Sequence, residues 1–215
     1  MINDFPDRLA VIQMHVNYDG YETGWGQWRG DEFYPWVNAL LPVLMYDGMW
    51  EWPIEDYTYG LLQRLDDPTD VTIDVYGLQI NEELWAFTVK VCVEATGAGK
   101  EMRIYAAQVL DYWPPASSYA RNGLRQVATT RDVEVAAGSC TQIPFTFEFG
   151  PESWDDRENI KIIVWAQDAV DQGPAQVHQA AQVTWPFPAP PPPDPYAPRR
   201  PQGRVAPYQL PLAVK

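Results

Sequence analysis

His15 is followed by Asp19 and Glu22, and a histidine with two carboxylates in one short stretch could hold a metal ion. The simpler reading is a polar strand end with solvated neighbours, which needs no ligand. Carboxylates are dense at Asp66, Asp67 and Asp70, and again at Glu152, Asp155, Asp156 and Glu158. Loops of this kind can offer calcium its oxygen ligands, yet neither cluster has EF-hand spacing and an acidic chain holds many such loops by chance. No metal ligand is assigned. His178 has no cysteine or second histidine near it and reads as a surface or edge residue. Cys92 and Cys140 are too far apart for a Cys-x-x-Cys redox pair, and two cysteines cannot make a four-cysteine zinc site. They could form one structural disulfide, worth on the order of 4 kcal/mol in chain-entropy terms in an oxidising compartment, or remain two free thiols. Ser139 precedes Cys140 without an evident histidine base, and no nucleophile elbow, Walker loop or dinucleotide fingerprint occurs. Catalysis has no candidate set, so the chain is expected not to be an enzyme and to need no cofactor.

The elements around these residues change character along the chain. Residues 8–16, RLAVIQMHV, form a continuous apolar run of the kind found in a strand buried on both faces. Residues 17–30 are rich in glycine and aromatics and read as loop. Asp31 can cap a short helix over 31–40, with Pro35 tolerated near its first turn. LPVLMYDG, from Leu41, is a second short apolar run ending in an Asp-Gly turn, and Trp50 to Trp52 can continue it as the far arm of a hairpin. Pro53 opens another helix, with Leu61, Leu62 and Leu65 as its apolar face. From Val71 to about Val183 the period becomes alternating, with about seven strand-like runs, which is the rhythm of an immunoglobulin-like sandwich. In one of them Phe87, Val89, Val91 and Val93 share a face, which points Cys92 outward or toward an edge, where Cys140 is a conceivable partner. Residues 186–215 hold 11 of the chain's 21 prolines and are expected to be extended polyproline II, a spacer or a ligand for an aromatic groove. Arg199, Arg200 and Arg204 give this arm a basic patch suited to an acidic surface, including that of another copy.

Bulk properties narrow the classes. The chain has 215 residues, 46% hydrophobic, with a formal net charge of -14. It is long enough for one good core or two small ones. Its acidity repels phosphate backbones, so nucleic acid and anionic membrane surfaces are poor partners. No apolar run reaches about 18 residues, so no integral membrane span is expected. MINDFPDRLAVIQMHV lacks a basic region followed by an apolar one, and an export signal for an extracytoplasmic protein would have to lie upstream of Met1.

Three stretches carry a resemblance. LAVIQMHVNYDG and LLPVLMYDG look like the second central strand of a thioredoxin fold and the strand after its cis-proline, which would make Pro42 that proline. SWDDRENIKIIVWAQDAV is similar to a pattern of a Trp-containing turn, an Asn and a hydrophobic strand ending in Gln-Asp, and QVHQAAQV resembles a last strand. Together they resemble the bacterial outer-membrane proteins of the twenty-eight-kilodalton class, in which a thioredoxin-like domain precedes an immunoglobulin-like sandwich. The resemblance implies a mainly β fold: an incomplete α/β thioredoxin-like region over 1–68, the sandwich over 69–185, and the proline-rich tail over 186–215. Too few residues precede the first strand for the redox loop, so the family's thiol chemistry does not carry over. The missing central strand would leave an apolar sheet edge to be covered by a partner chain, an upstream segment or a rearrangement.

Aromatics are the unusual feature, with 10 Trp and 12 Tyr in the chain. Trp25, Trp28, Trp36, Trp50 and Trp52 crowd a region too small to bury all of them, and some are expected to be exposed. The expected function is a non-enzymatic structural, assembly or interaction protein of the cell envelope or extracellular space, homo-oligomeric or bound to other subunits through these aromatics and the arm. A carbohydrate-binding or adhesion module is the alternative, with a glycan stacked on coplanar tryptophans. A fragment of a thiol-disulfide oxidoreductase is the third.

Overall fold

The computed structural model describes residues 9–15, 22–36, 45–50, 61–62, 64–112 and 121–192. Its frame is a sandwich of two antiparallel sheets. The first holds β3 (Val71–Gln79), β4 (Leu84–Val93) and β8 (Cys140–Glu148) in the order β3-β4-β8. The second has β5 (Lys100–Leu110) at its centre, with β9 (Ile160–Asp168) and then β10 (Val177–Thr184) on one side. On the other side of β5 the edge is shared end to end by β6 (Gly123–Val127) and β7 (Arg131–Val135). Seven strand positions in two sheets make the immunoglobulin-like sandwich that the alternating period predicts.

The core follows from that period. Along β4 the side chains of Trp85, Phe87, Val89, Val91 and Val93 are buried, while the residues between them are half-buried on the outer face. They meet Met102, Ile104, Ala106 and Leu110 of β5 and Ile160, Ile162 and Val164 of β9 across the sandwich. Each fully buried side chain of this size contributes about 1.5–3 kcal/mol. Pro144 sits in β8, an edge strand of its sheet, where a missing amide costs no ladder bond. A short helix, Pro151–Asp155, joins β8 to β9 and stacks Trp154 on Phe149, with centroids 6.1 Å apart.

Several expectations require correction. Residues 17–30 are not all loop: helix α1 spans Gly24–Trp28 and is capped by Thr23, whose hydroxyl accepts from the Gly26 amide at 3.0 Å. A single π-helical turn, Arg29–Phe33, follows it, so Asp31 lies inside that turn and not at a helix N-terminus, and its carboxylate accepts from Gln27 Nε2 at 2.6 Å. Trp25 and Trp28, three apart, supply the packed face that outweighs the two glycines. Residues 9–15 are half-buried and make one parallel bridge, Gln13 to Gly123 at the end of β6, with Gln13 donating to the Asn122 carbonyl at 2.9 Å. They do not form a strand buried on both faces; Ala10, Ile12 and Met14 lie on the second sheet's outer face. The Asp-Gly hairpin is present, with β1 (Met45–Tyr46) paired to β2 (Met49–Trp50) and both Asp47 and Gly48 at positive φ, 48° and 72°. The two runs that carry the thioredoxin resemblance therefore pair elsewhere, and among the described residues they are not neighbours in one sheet. The helix expected from Pro53 is described only at Leu61, Leu62 and Arg64, where Leu61 is buried and Leu62 exposed. The start of the expected tail belongs to the sandwich: Phe187 is buried against Trp85 and Phe87, and the Pro188 carbonyl accepts from Gly77 of β3 at 2.8 Å.

Candidate binding cleft

β5 and β9 are buried on both faces. The sides of Tyr105, Ala107, Val109, Ile163 and Trp165 that turn away from the sandwich are covered by Ala10, Ile12, Met14 and Trp25. Tyr105 and Trp165, paired across the two strands, stack at 4.9 Å with an interplanar angle of 7°. Trp25 stands edge-on to both, 6.0 Å from each. This arrangement docks α1 on the sheet.

The π-helical turn drives Arg29 under α1, where it is 4% exposed. Its guanidinium lies 4.1 Å from the Phe33 ring centroid and about 5 Å from those of Tyr34 and Tyr105. Nη2 donates to Gln167 Oε1 at 2.6 Å and to the Tyr34 hydroxyl at 3.3 Å, while Nε and Nη1 have no hydrogen-bond partner. Four aromatic faces, counting Trp25, take the place of a counter-ion. Gln167, fully buried, returns Nε2 to the Tyr34 hydroxyl at 3.0 Å and to the Ala175 carbonyl at 2.8 Å. Burial pushes the Tyr34 phenol above its ordinary value, against the opposing pull of the Arg29 charge and the Gln167 hydrogen bond. The hydroxyl therefore keeps its proton and gives it to the Gly48 carbonyl at 3.1 Å, which ties the β1–β2 hairpin to the sheet.

Beside this cage lies a cleft of about 470 Å³. Trp25 and Trp28 of α1 and Tyr105 of β5 form its aromatic walls, and residues 127–130 form its rim. The rim exists because the β6–β7 edge slips by one residue: Val127 pairs with Ala107 but Arg131 pairs with Ile104, so the strand still holds β5 at Ala128, whose amide donates to the Ala106 carbonyl at 2.9 Å, and carries one extra residue over 129–130. The slip presents Thr129 and Thr130. Arg103 is the charged lining residue, and it is saturated. It chelates Asp132 through Nε at 2.7 Å and Nη2 at 2.9 Å, and Nη1 reaches Asp171 at 3.0 Å and the Val170 carbonyl at 2.9 Å. The hydrogen bonds with Asp132 raise the Arg103 pKa and lower that of Asp132, so both stay charged. The Tyr105 hydroxyl is buried without a hydrogen-bond partner.

Of the aromatics singled out from sequence, Trp25 and Trp28 meet at this cleft, both half-buried. Trp36 packs against Tyr34 at 5.6 Å in a separate cluster with Phe33 and Ala175. Trp50 lies in β2, and Trp52 lies outside the described residues. Trp25, Trp28 and Trp36 are thus each in contact with neighbouring rings. Cys92 and Cys140 are on the other sheet, directly opposed across β4 and β8, with sulfurs 2.02 Å apart. The adjacent Val93 donates to Ser139, so the cysteines occupy a non-hydrogen-bonded pair, the position where Cα atoms come closest. Among the described residues no group of three His, Cys, Asp or Glu side chains could hold a metal ion. Asp70 of the first carboxylate cluster binds Lys100 at 3.1 Å instead. His178, on β10 at the sheet edge, contacts Asp168 at 2.9 Å. Arg29, Arg103, Tyr105, Thr129 and Thr130 were not foreseen. The available signal was the short apolar stretch IYAA, residues 104–107 of β5, which implies cover on both faces.

No family model and no curated protein matches the chain. Among solved structures it is similar to HBP35 of Porphyromonas gingivalis, at 12% identity and a TM-score of 0.50, over 66% of this chain and 49% of that one. It is also similar to a domain of the outer membrane lipoprotein Omp28 from Porphyromonas gingivalis, at 14% identity and a TM-score of 0.42, over 66% of this chain and 96% of that domain. A β-glucosidase from Kluyveromyces marxianus shows 11% identity and a TM-score of 0.32 over 60% of this chain and 16% of the enzyme. The chain spans about half the length of HBP35, and the likeness at this identity is one of fold.

Proposed function

We propose that this chain is a non-catalytic interaction module of the cell envelope, which holds an extended protein segment in the cleft between α1 and β5. The observation that carries the reading is the half-buried pair Trp25 and Trp28, set over Tyr105 in a cleft of about 470 Å³ whose single arginine is already neutralised by two aspartates. Such a site offers apolar area and a few neutral polar groups, the chemistry that suits a peptide. A sugar platform is favoured less: the two indoles are tilted by 52° and partly covered, where stacking on a sugar ring calls for flat, open faces. An extracytoplasmic location is supported by the cysteine pair on the solvent-facing side of β4 and β8, which suits an oxidising compartment.

The test is a tryptophan-fluorescence titration with a panel of extended peptides and a panel of glycans, repeated on Trp28→Ala. Quenching by peptides that is lost in Trp28→Ala is expected. A response to glycans alone, or a peptide response that Trp28→Ala leaves unchanged, would discard the reading.

A further inference from the structure

We infer that the segment held in the cleft is the proline-rich arm, residues 193–204, of a second copy of this chain; this rests on the cleft being a peptide site. Charge is the first ground. The last 30 residues carry four basic side chains against Asp194 alone, so they are net +3 while the first 185 residues carry -17 of the total of -14. The cleft rim concentrates part of that negative charge. Asp132 and Asp171, with side chains 57% and 97% exposed, outnumber the Arg103 they bind. Asp31 and Glu32 are exposed on the turn that follows α1. Arg199 and Arg200 can meet these carboxylates from the solvent side while the prolines before them lie on the rings.

Hydrogen-bond chemistry is the second ground. Tyr105 lines the cleft with a buried hydroxyl that has no partner, a donor that wants an acceptor. A proline offers a carbonyl and no N–H, so a run such as PDPYAP presents mostly acceptors. Polyproline II also loses little conformational freedom on docking against aromatic walls.

The path of the chain favours another copy over the same one. The chain is held to Gly77 of β3 at Pro188, on the three-stranded sheet. The cleft opens over β5 and the β6–β7 edge on the outer side of the other sheet. Between them stand β10 and β9, where the β1–β2 turn is bonded to residues 175 and 177 and the Arg29 cage covers Gln167. In the polyproline II conformation twelve residues would span about 37 Å, at ~3.1 Å per residue. A segment docked in that conformation would reach a neighbour more readily than it would bend back around its own covered face. Arm and cleft are different surfaces, so the contact is head-to-tail and builds a ring or an open chain of copies.

The experiment is sedimentation velocity on the full chain over a wide concentration range, with a synthetic peptide of residues 193–204 as competitor. Self-association that the peptide reverses, and whose midpoint concentration rises about tenfold in Arg199→Glu/Arg200→Glu, is expected. A monomer at all concentrations, or association indifferent to both the peptide and the double variant, would overturn the inference. Fluorescence separates the two levels. Quenching by unrelated extended peptides but not by the arm peptide refutes the arm and spares the peptide site. Quenching by no peptide refutes both.

Discussion

Phe187 lies against the bare backbone of Gly77 in β3: a Cβ on residue 77 would lie 2.9 Å from Phe187 Cβ and 3.0 Å from Phe87 Cε1. Phe187 in turn is 8% exposed and packs edge-on to Phe87 and Trp85. The segment after β10 can lie along the edge of β3 only because residue 77 lacks a side chain. Gly77→Val is therefore expected to cost about 1–3 kcal/mol by overpacking. Leu78→Ala, one residue on and 56% exposed, is expected to stay within about 0.5 kcal/mol of the parent. Urea unfolding of both variants checks this, and equal effects would show that the 185–188 segment does not depend on the contact.

What the sequence disclosed and what it hid divide along one line. β4 was legible because its cover comes from one side, so burial alternates residue by residue. β5 and β9 carry the same pairing but are covered twice, and the stretches 104–107 and 162–166, apolar without alternation, give no phase to read. α1 was missed because Gly24 and Gly26 among tryptophans resemble loop, although Thr23 was in place as a cap. Arg29 could not be foreseen: the glutamine it binds is 138 positions away, and nothing local marks it as buried. The cleft itself depends on a one-residue slip between β6 and β7, a property of register that composition does not encode.

The Arg29 cage separates charge from volume. Arg29→Met keeps the stem against Phe33 and Tyr34 and removes a buried cation that is without a carboxylate partner among the described residues. It is expected to be neutral or stabilising by up to about 2 kcal/mol. Arg29→Ala empties the cage and leaves Gln167 Oε1 with only Trp165 Nε1, at 3.4 Å. It is expected to cost about 3 kcal/mol. Equilibrium unfolding of the pair is the measurement; a Met variant as unstable as the Ala variant would mean that the charge itself holds α1 to the sheet.

At the other end of β5, Asp111 is 6% exposed and accepts from Arg121, through Nε and through Nη2 at 2.7 Å, and from Lys161 at 3.0 Å. Burial would raise its carboxyl, but the hydrogen bonds and charges of Arg121 and Lys161 outweigh that and hold it at about 2. A carboxyl depressed in the folded state stabilises the fold above its unfolded value and loses that contribution as pH falls toward the folded value. Asp111→Asn should thus lose about 2 kcal/mol at pH 7, with the gap constant down to roughly pH 5 and closing toward pH 2. Thermal unfolding of both proteins between these limits tests the sign; a gap that widens in acid would contradict it.

The cysteine pair fastens β4 to β8 on the side of the sandwich away from the cleft, at a register position where the two strands are already neighbours. Its contribution should therefore lie in the unfolded chain, where it closes a loop of 48 residues, more than in native contacts. A Cys92→Ala/Cys140→Ala double variant is expected to keep the far-ultraviolet spectrum of the parent and to lose on the order of 4 kcal/mol in oxidising buffer. With reductant present during unfolding, the parent should fall to the level of the variant, because only the covalent link distinguishes them. A parent that stays well above the variant under reduction would place the stabilisation in side-chain packing on the outer face of β4 and β8, and a variant with an altered spectrum would make the link part of what aligns the two strands.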